Sequence, residues 1–245
     1  MAWPRGGLPY MIKVGCCGFA EARAKYFKKF DLVEIQQTLY QVPSAKTAAQ
    51  WRREARAGFE FTMKAWQLIT FPPASPTYEK LKHPPQSRKL KNYGSFQLTS
   101  EVLEAWEQTE EVARALGARV IVFESPESFI PEKTNIDNLT KFFGSIERGA
   151  YRMVWEARGR WPEDLVVSLC RDLDLTYSID PFVRPPFDGP IRYFKLHGKG
   201  GDDDSYTDNE LMALRRLLDK GPEAYVLFNN QNMLADAGRM RRMIR

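Results

Sequence analysis

Several residues that can carry protons or bind oxygen atoms lie at the ends of short β-rich stretches of this sequence. The acids are Glu34, Glu124, Glu156 and Asp180, and the bases are Lys64, Arg158, Lys195 and His197. Acids and bases crowded into one cleft shift each other's pKa and form acid/base pairs. The pattern therefore predicts a polar catalytic site, although the same charges could instead neutralise one another as structural ion pairs.

The predicted chemistry is proton transfer on a small polar ligand, either anionic or carbohydrate-like. Glu156 and His197 are the expected general base and acid, because each can carry a proton near neutral pH once its pKa is perturbed. Lysine and arginine would hold carboxylate or phosphate oxygens. The predicted catalytic residues are Glu156, His197, Asp180, Glu34 and Lys64. The predicted substrate-binding residues are Tyr40, Glu124, Arg158, Lys195, Asn229 and Asn230.

Other chemistries remain open at this stage. Glu156, Asp180 and His197 could ligate a divalent metal in a hydrolase or isomerase, because carboxylates with one imidazole suit manganese, magnesium or zinc. No cofactor is required by the sequence. The Gly198–Gly201 turn could present backbone amides to a phosphate. Cys17 is a possible nucleophile, but burial as a small apolar side chain is the alternative.

Eight β-rich stretches would have to position these residues. They are residues 12–16, 31–35, 59–65, 119–124, 151–157, 176–180, 191–197 and 224–230. Amphipathic helical patterns alternate with them, which predicts a single (β/α)8 TIM-like barrel of the α/β class. Such barrels carry their active sites where the strands end, so the polar residues above would converge on one mouth.

The barrel is expected to span residues 11–245, after an N-terminal tail over residues 1–10. Ser44 and Ser100 are expected to cap helices. Residues 66–98 form an unusually long, proline-rich connection after the third strand. Long βα connections are typically lids or disordered insertions, so one of these is predicted here.

The chain has 245 residues and a formal net charge of +5. Residues 66–98 and the last eight residues each carry a net charge of about +4, which leaves the remainder near −3. A non-catalytic nucleic-acid-binding protein that uses this basic loop and the C-terminal tail is therefore an alternative. It is not favoured, because the charge does not follow one continuous face.

Three cysteines, two of them adjacent, argue against a disulfide framework and predict a cytoplasmic protein. The first residues lack the apolar core of a signal peptide. No apolar run approaches the roughly 20 residues needed to span a bilayer, so no membrane partner is expected. The composition leaves the oligomeric state open.

The order of several short motifs resembles the YecE-like family, also called domain of unknown function 72. The motifs are Gly15–Phe19, Glu34–Tyr40 with Pro43, Phe59–Lys64, Glu124–Phe129, Trp155–Trp161, Asp180, Leu196–Gly198, Tyr206 and Phe228–Asn230. The resemblance implies a TIM barrel and no particular reaction. Three positions depart from the family pattern: Gln36 replaces asparagine, Glu124 replaces glutamine and Gly159 replaces histidine.

Overall fold

The computed structural model describes residues 11–186, 189–200, 204–218 and 221–244. Eight parallel strands close into a barrel in chain order, each paired with the next and the last with the first. The strands are β1 Ile12–Cys17, β2 Leu32–Ile35, β3 Glu60–Lys64, β4 Ala118–Ser125, β5 Arg152–Ala157, β6 Thr176–Ile179, β7 Arg192–Leu196 and β8 Ala224–Phe228. The predicted TIM-like barrel is confirmed. The expected tail over residues 1–10 lies outside the described residues.

Alternation of side chains along each strand divides the barrel into an interior and an outer layer. An apolar cluster fills the interior: Cys17, Leu32, Val120, Val122, Val154, Ile191, Tyr193, Tyr225 and Leu227. Below this cluster, at the N-terminal ends of the strands, Lys13 pairs with Glu60 and Glu223. The opposite face of each strand packs against the helices, so a one-residue shift of register would exchange the two environments.

Helices between the strands cover the outside of the barrel. They are α1 Arg23–Lys29, α2 Ala45–Glu54, α3 Gln67–Thr70, α4 Ser100–Leu116, α5 Lys133–Ser145, α6 Glu163–Asp172, α7 Asp208–Leu218 and α8 Met233–Met243. Ser44 caps α2 as predicted, accepting a hydrogen bond from Thr47 N. The predicted cap at Ser100 is wrong, because Thr99 accepts the bond from Val102 N and Ser100 is the first helical residue.

One expected helix is missing from the described residues, since those between β6 and β7 contain none. Pro181, Pro185, Pro186 and Pro190 occupy this short connection, and proline both removes a backbone donor and disfavours helix at the residue before it. None of the helices in the described ranges has the length and apolar character needed to span a bilayer.

The long segment over residues 66–98 is packed against the barrel and is not a disordered insertion. After α3, two 3-10 helices run over Pro76–Lys80 and Ser87–Asn92. Phe96 is fully buried and contacts the aromatic cluster around Phe123. Burial of such aromatic side chains fixes the segment onto the outer layer, which the proline content alone did not indicate.

Candidate active site

Five predicted site residues form one buried ionic layer at the C-terminal end of the barrel. They are Glu34, Lys64, Glu124, Glu156 and Lys195. The Lys195 ammonium lies 2.7 Å from Glu34 Oε1 and 2.6 Å from Glu156 Oε2. Lys64 pairs with Glu124 and lies 3.9 Å from the same Glu156 oxygen. Acids and bases therefore alternate across the mouth of the barrel.

Strand register explains why these side chains meet. Glu124 on β4 is paired with Glu156 on β5, so two carboxylates lie side by side on the interior face. Arg158 follows β5 and bridges them, with Nε 3.2 Å from Glu124 Oε1 and Nη2 2.8 Å from Glu156 Oε1. The bridging guanidinium offsets the repulsion that two adjacent carboxylates would otherwise feel.

Three further side chains complete the layer, and none of them is among the predicted catalytic or substrate-binding residues: Tyr193, Thr62 and Gln36. Tyr193 donates a hydrogen bond of 2.6 Å to Glu34 Oε2 and lies 2.8 Å from the Thr62 hydroxyl. Gln36 donates to Glu34 Oε1. Tyr193 lies two residues before Lys195 on β7, so the alternation rule that identified the lysine also points to this tyrosine.

The ionic layer fixes the charges of its members. Burial alone would raise the pKa of Glu156, but the positive charges of Lys195, Lys64 and Arg158 outweigh it and hold this pKa well below its ordinary value. Burial would lower the pKa of Lys195, whereas Glu156 and Glu34 raise it. Both groups are therefore charged at neutral pH, and Glu156 is a weak base.

Cys17 lies beside this layer, with Sγ 3.8 Å from Glu34 Oε1. Burial and the nearby Glu34 charge raise the pKa of its thiol well above the ordinary value. A thiol held protonated is a poor nucleophile, and this favours the apolar interpretation of Cys17 over the catalytic one.

His197 lies above the layer, at the rim of the mouth. Its side chain is 34% exposed, and Nε2 lies 3.9 Å from Glu156 Oε1. Nδ1 lies 3.2 Å from the Asn229 side-chain amide, which orients the ring. Burial, together with the positive charge of Arg158, lowers the pKa of His197. The imidazole is therefore neutral at neutral pH.

A cavity of about 240 Å³ opens beside His197, between the ends of β5, β6 and β7. Its wall includes Glu156, Arg158, Ser178, Asp180, Arg184, Lys195 and His197. Ser178 Oγ is buried and has no hydrogen-bond partner within the described part of the chain, whereas Glu156 Oε1 lies 2.8 Å from Arg158 Nη2. Buried polar atoms normally have partners, so the Ser178 hydroxyl is available to a ligand.

Asp180 has a structural role in this wall. Its carboxylate accepts the backbone N–H groups of His197, at 3.2 Å, and Phe182, at 3.0 Å. Over the described ranges, no group of three His, Cys, Asp or Glu side chains could hold a metal ion. Glu156, Asp180 and His197 are thus not arranged as the metal ligands that the spacing suggested.

Four predicted substrate-binding residues, Tyr40, Glu124, Asn229 and Asn230, do not line the cavity. Asn230 is buried and donates 2.8 Å to Asp236 Oδ2, within a network behind the mouth. The Tyr40 ring lies against the Lys80 ammonium, at 4.0 Å. Glu124 and Asn229 contact residues of the cavity wall through Arg158 and His197.

In the described part of the glycine-rich turn after β7, the backbone amides already have partners within the chain. The Asp204 carboxylate accepts Lys199 N at 2.8 Å, Gly200 N at 3.2 Å and Gln231 N at 3.1 Å. The predicted phosphate-binding role of this turn is therefore wrong, because an internal carboxylate already binds these donors. Gly201 lies outside the described residues.

Sequence comparison assigns the family. The profile of the family described as "Protein of unknown function DUF72" matches residues 18–245. The chain belongs to the DUF72 family. No curated protein sequence matches the chain. The resemblance drawn from the motif order is confirmed, and the family brings no established reaction with it.

Solved structures of DUF72 proteins share the fold. A DUF72 family protein from Enterococcus faecalis is 17% identical, with a TM-score of 0.71 over 96% of this chain and 98% of that one. One from Thermotoga maritima is 20% identical, with a TM-score of 0.66 over 96% and 99%. A xylose isomerase domain containing protein from Salmonella typhimurium is 14% identical, with a TM-score of 0.53 over 92% and 91%. At these identities the likeness concerns the fold alone.

Proposed function

We propose that the protein is an enzyme that moves a proton on a small polar ligand, anionic or carbohydrate-like, bound in the cavity between β5, β6 and β7. The observation that carries the proposal is the neutral imidazole of His197 on the wall of a cavity that also holds a buried hydroxyl, Ser178 Oγ, without a partner in the described residues. A cavity at the strand ends that combines a neutral titratable group with an available hydroxyl has the features of a barrel active site.

In this proposal His197 gives and accepts the proton through Nε2. Imidazole is the side chain whose ordinary pKa lies nearest neutral pH, which suits general acid/base catalysis. Asn229 orients the ring from Nδ1. Lys195 stabilises negative charge that develops on a ligand oxygen, since a fixed ammonium in a dry site acts without reorganisation.

Glu156 has a different role from the general base that the sequence suggested. Its lowered pKa makes it a weak base, and its oxygens bind Lys195 and Arg158. It therefore acts as a positioning residue that holds the two cations in the wall. Its Oε1 also accepts a ligand hydroxyl in this proposal.

The fold is compatible with this chemistry without assigning it. The xylose isomerase domain containing protein from Salmonella typhimurium has a similar barrel, and its name refers to sugar chemistry. Unrelated reactions occur on TIM barrels, so the proposal depends on the cavity and not on this likeness.

The test is a screen of sugars, sugar acids and hydroxy acids, with turnover followed by NMR of the reaction mixture. For a compound that is converted, His197→Asn should lower kcat at least about 100-fold, the range of general acid/base catalysis. The matched control is His83→Asn, which removes the chain's other histidine, an exposed one. Unchanged kcat in His197→Asn, with folding verified by circular dichroism, would refute the proposal.

A further inference from the structure

Arg184 differs from the other cations in the cavity wall. Arg158 pairs with Glu124 and Glu156, and Lys195 pairs with Glu156 and Glu34. Arg184 makes no ion pair within the described residues, and its Nη1 donates a 3.1 Å hydrogen bond to the neutral Tyr177 hydroxyl. An arginine has five N–H donors, so most of its binding capacity is left for a ligand.

The backbone around Arg184 is held in a tight turn. Both Val183 N and Arg184 N donate 3.0 Å hydrogen bonds to the Asp180 carbonyl. The Asp180 side chain accepts Phe182 N, and two prolines follow Arg184 directly. These bonds and the fixed φ of proline place the arginine on the wall of the cavity before any ligand arrives.

The charges of the wall select the ligand charge. Arg158, Arg184 and Lys195 are cationic, Glu156 and Asp180 are anionic, and His197 is neutral. Glu34 and Glu124 also pair with Lys195 and Arg158, which leaves Arg184 as the wall cation without a carboxylate partner in the described residues. One ligand carboxylate would pair with Arg184, whereas a phosphate monoester, with about −1.5 to −2 charges at pH 7, would bring more negative charge beside Glu156 and Asp180.

We propose that Arg184 binds the carboxylate of the ligand, and that the substrate class is a small polyhydroxy monocarboxylate such as an aldonate. The planar guanidinium fits a carboxylate with two parallel hydrogen bonds. The Ser178 hydroxyl accepts from or donates to a hydroxyl farther along the ligand, and Glu156 Oε1, which also pairs with Arg158, accepts from one. A cavity of about 240 Å³ suits a ligand smaller than a drug molecule. The inference rests on the proposed function only in taking this cavity as the ligand site.

Isothermal titration calorimetry on the full chain tests the assignment. The probes are the aldonates of four to six carbons, each compared with its uncharged alditol and with the corresponding sugar phosphate. At least one aldonate should bind about tenfold more tightly than its alditol, since a charge-assisted hydrogen bond is worth roughly 1.5–3 kcal/mol. Arg184→Gln should remove this preference, and Arg184→Lys should keep part of it.

The control variant is Arg160→Gln, which removes an exposed arginine near Arg158 that does not line the cavity. It should leave the aldonate preference intact. The inference is overturned if no aldonate binds more tightly than its alditol, if sugar phosphates bind more tightly through Arg184, or if Arg184→Gln keeps the preference.

The His197→Asn variant separates this inference from the proposed function. It should retain the aldonate preference while losing turnover. If it retains turnover while Arg184→Gln loses the preference, the proton-transfer role fails and the ligand assignment stands. If His197→Asn loses turnover while Arg184→Gln changes nothing, the ligand assignment fails and the proton-transfer role stands.

Discussion

Lys195 is the residue on which the ionic layer depends. Its side chain is 1% exposed and lies between two carboxylates that are also buried, Glu34 and Glu156. Charges taken out of water are tolerated only when partners compensate them, so loss of the central cation would leave two buried carboxylates in repulsion. Removal of any single charged side chain should therefore destabilise the protein, whatever the net contribution of the whole layer to stability.

We predict that Lys195→Met lowers the free energy of unfolding by about 3–5 kcal/mol, the usual cost of leaving a buried charge without its partner. Urea denaturation measures this. Lys29→Met is the matched control, because Lys29 is 54% exposed and pairs with Glu21 at the surface. Such a pair is worth about 0–1 kcal/mol. Equal effects of the two variants would contradict the account of a desolvated layer.

The protonation of His197 depends on its neighbours. Burial and the charge of Arg158 lower its pKa below the unfolded value of about 6.5. The unfolded chain therefore binds this proton first, and the stability contributed by the neutral imidazole is lost as the pH falls from about 6.5 through the folded-state pKa. Acid-driven loss of activity should follow the same group.

We predict that Arg158→Gln raises the pKa of His197, because one of the charges that lowers it is removed. An NMR titration of the imidazole signals measures the change, with His83→Asn used to assign them. Arg160→Gln serves as control and should leave the His197 titration in place. A His197 pKa that stays the same or falls in Arg158→Gln would show that burial alone sets it.

The alternation of side chains between the two faces of a strand explains which site residues could be predicted. Glu34, Lys64, Glu124, Glu156 and Lys195 all lie on interior faces at strand ends, and the structure brings them together. Loop residues do not follow this rule. The Asn230 side chain lies in the hydrogen-bond network behind the mouth because it donates to Asp236, a contact that the strand spacing does not indicate.

At the scale of elements, the segment over residues 66–98 departs most from expectation. Its prolines suggested a lid or a disordered insertion, yet buried aromatic side chains pack it against the barrel. Gly94 N donates to the Leu68 carbonyl, and Phe96 N donates to that of Ile69, which ties the end of the segment to α3. The eight strands were predictable because each has a strong local pattern, whereas this packing depends on residues far apart.

Gly94 gives a direct test of how tightly the segment is bound. Its φ is +79°, and a Cβ there would lie 1.9 Å from the Phe71 carbonyl oxygen. We predict that Gly94→Ala lowers the melting temperature much more than Gly58→Ala. Gly58 has a φ of +77°, and a Cβ there would have no neighbour within 4 Å among the described residues. The Gly58→Ala variant should therefore lose only about 1 kcal/mol of stability, through backbone strain. Similar losses in both variants would mean that the close packing does not exist.

At the scale of the whole molecule, the positive charge is partly compensated. Arg239 pairs with Asp208 and Asp236, and Arg241 pairs with Asp31. A groove of about 540 Å³ between α1 and α8 has a basic rim of Lys28, Lys29, Arg239, Arg241 and Arg242. Its one aromatic lining residue, Phe30, is 1% exposed and offers no stacking surface to a base.

We predict that the protein binds single-stranded nucleic acid only with non-specific affinity, with a Kd of about 10⁻⁶–10⁻⁴ M at physiological salt. Fluorescence anisotropy with a labelled oligonucleotide, repeated at several salt concentrations, measures this. Deletion of residues 239–245 should change little, because internal carboxylates already bind two of these arginines. Nanomolar binding that the deletion abolishes would favour the nucleic-acid alternative over the enzyme.

The two histidines of the chain allow one measurement to test the central claim, that the cavity between β5, β6 and β7 is the ligand site. His197 lines that cavity, whereas His83 is exposed on the segment after β3. The imidazole resonances are followed by NMR while the tightest-binding compound of the screen is added. The account predicts that the His197 signals shift and saturate with the calorimetric affinity while those of His83 stay in place. Saturable binding with no change at His197 would contradict it.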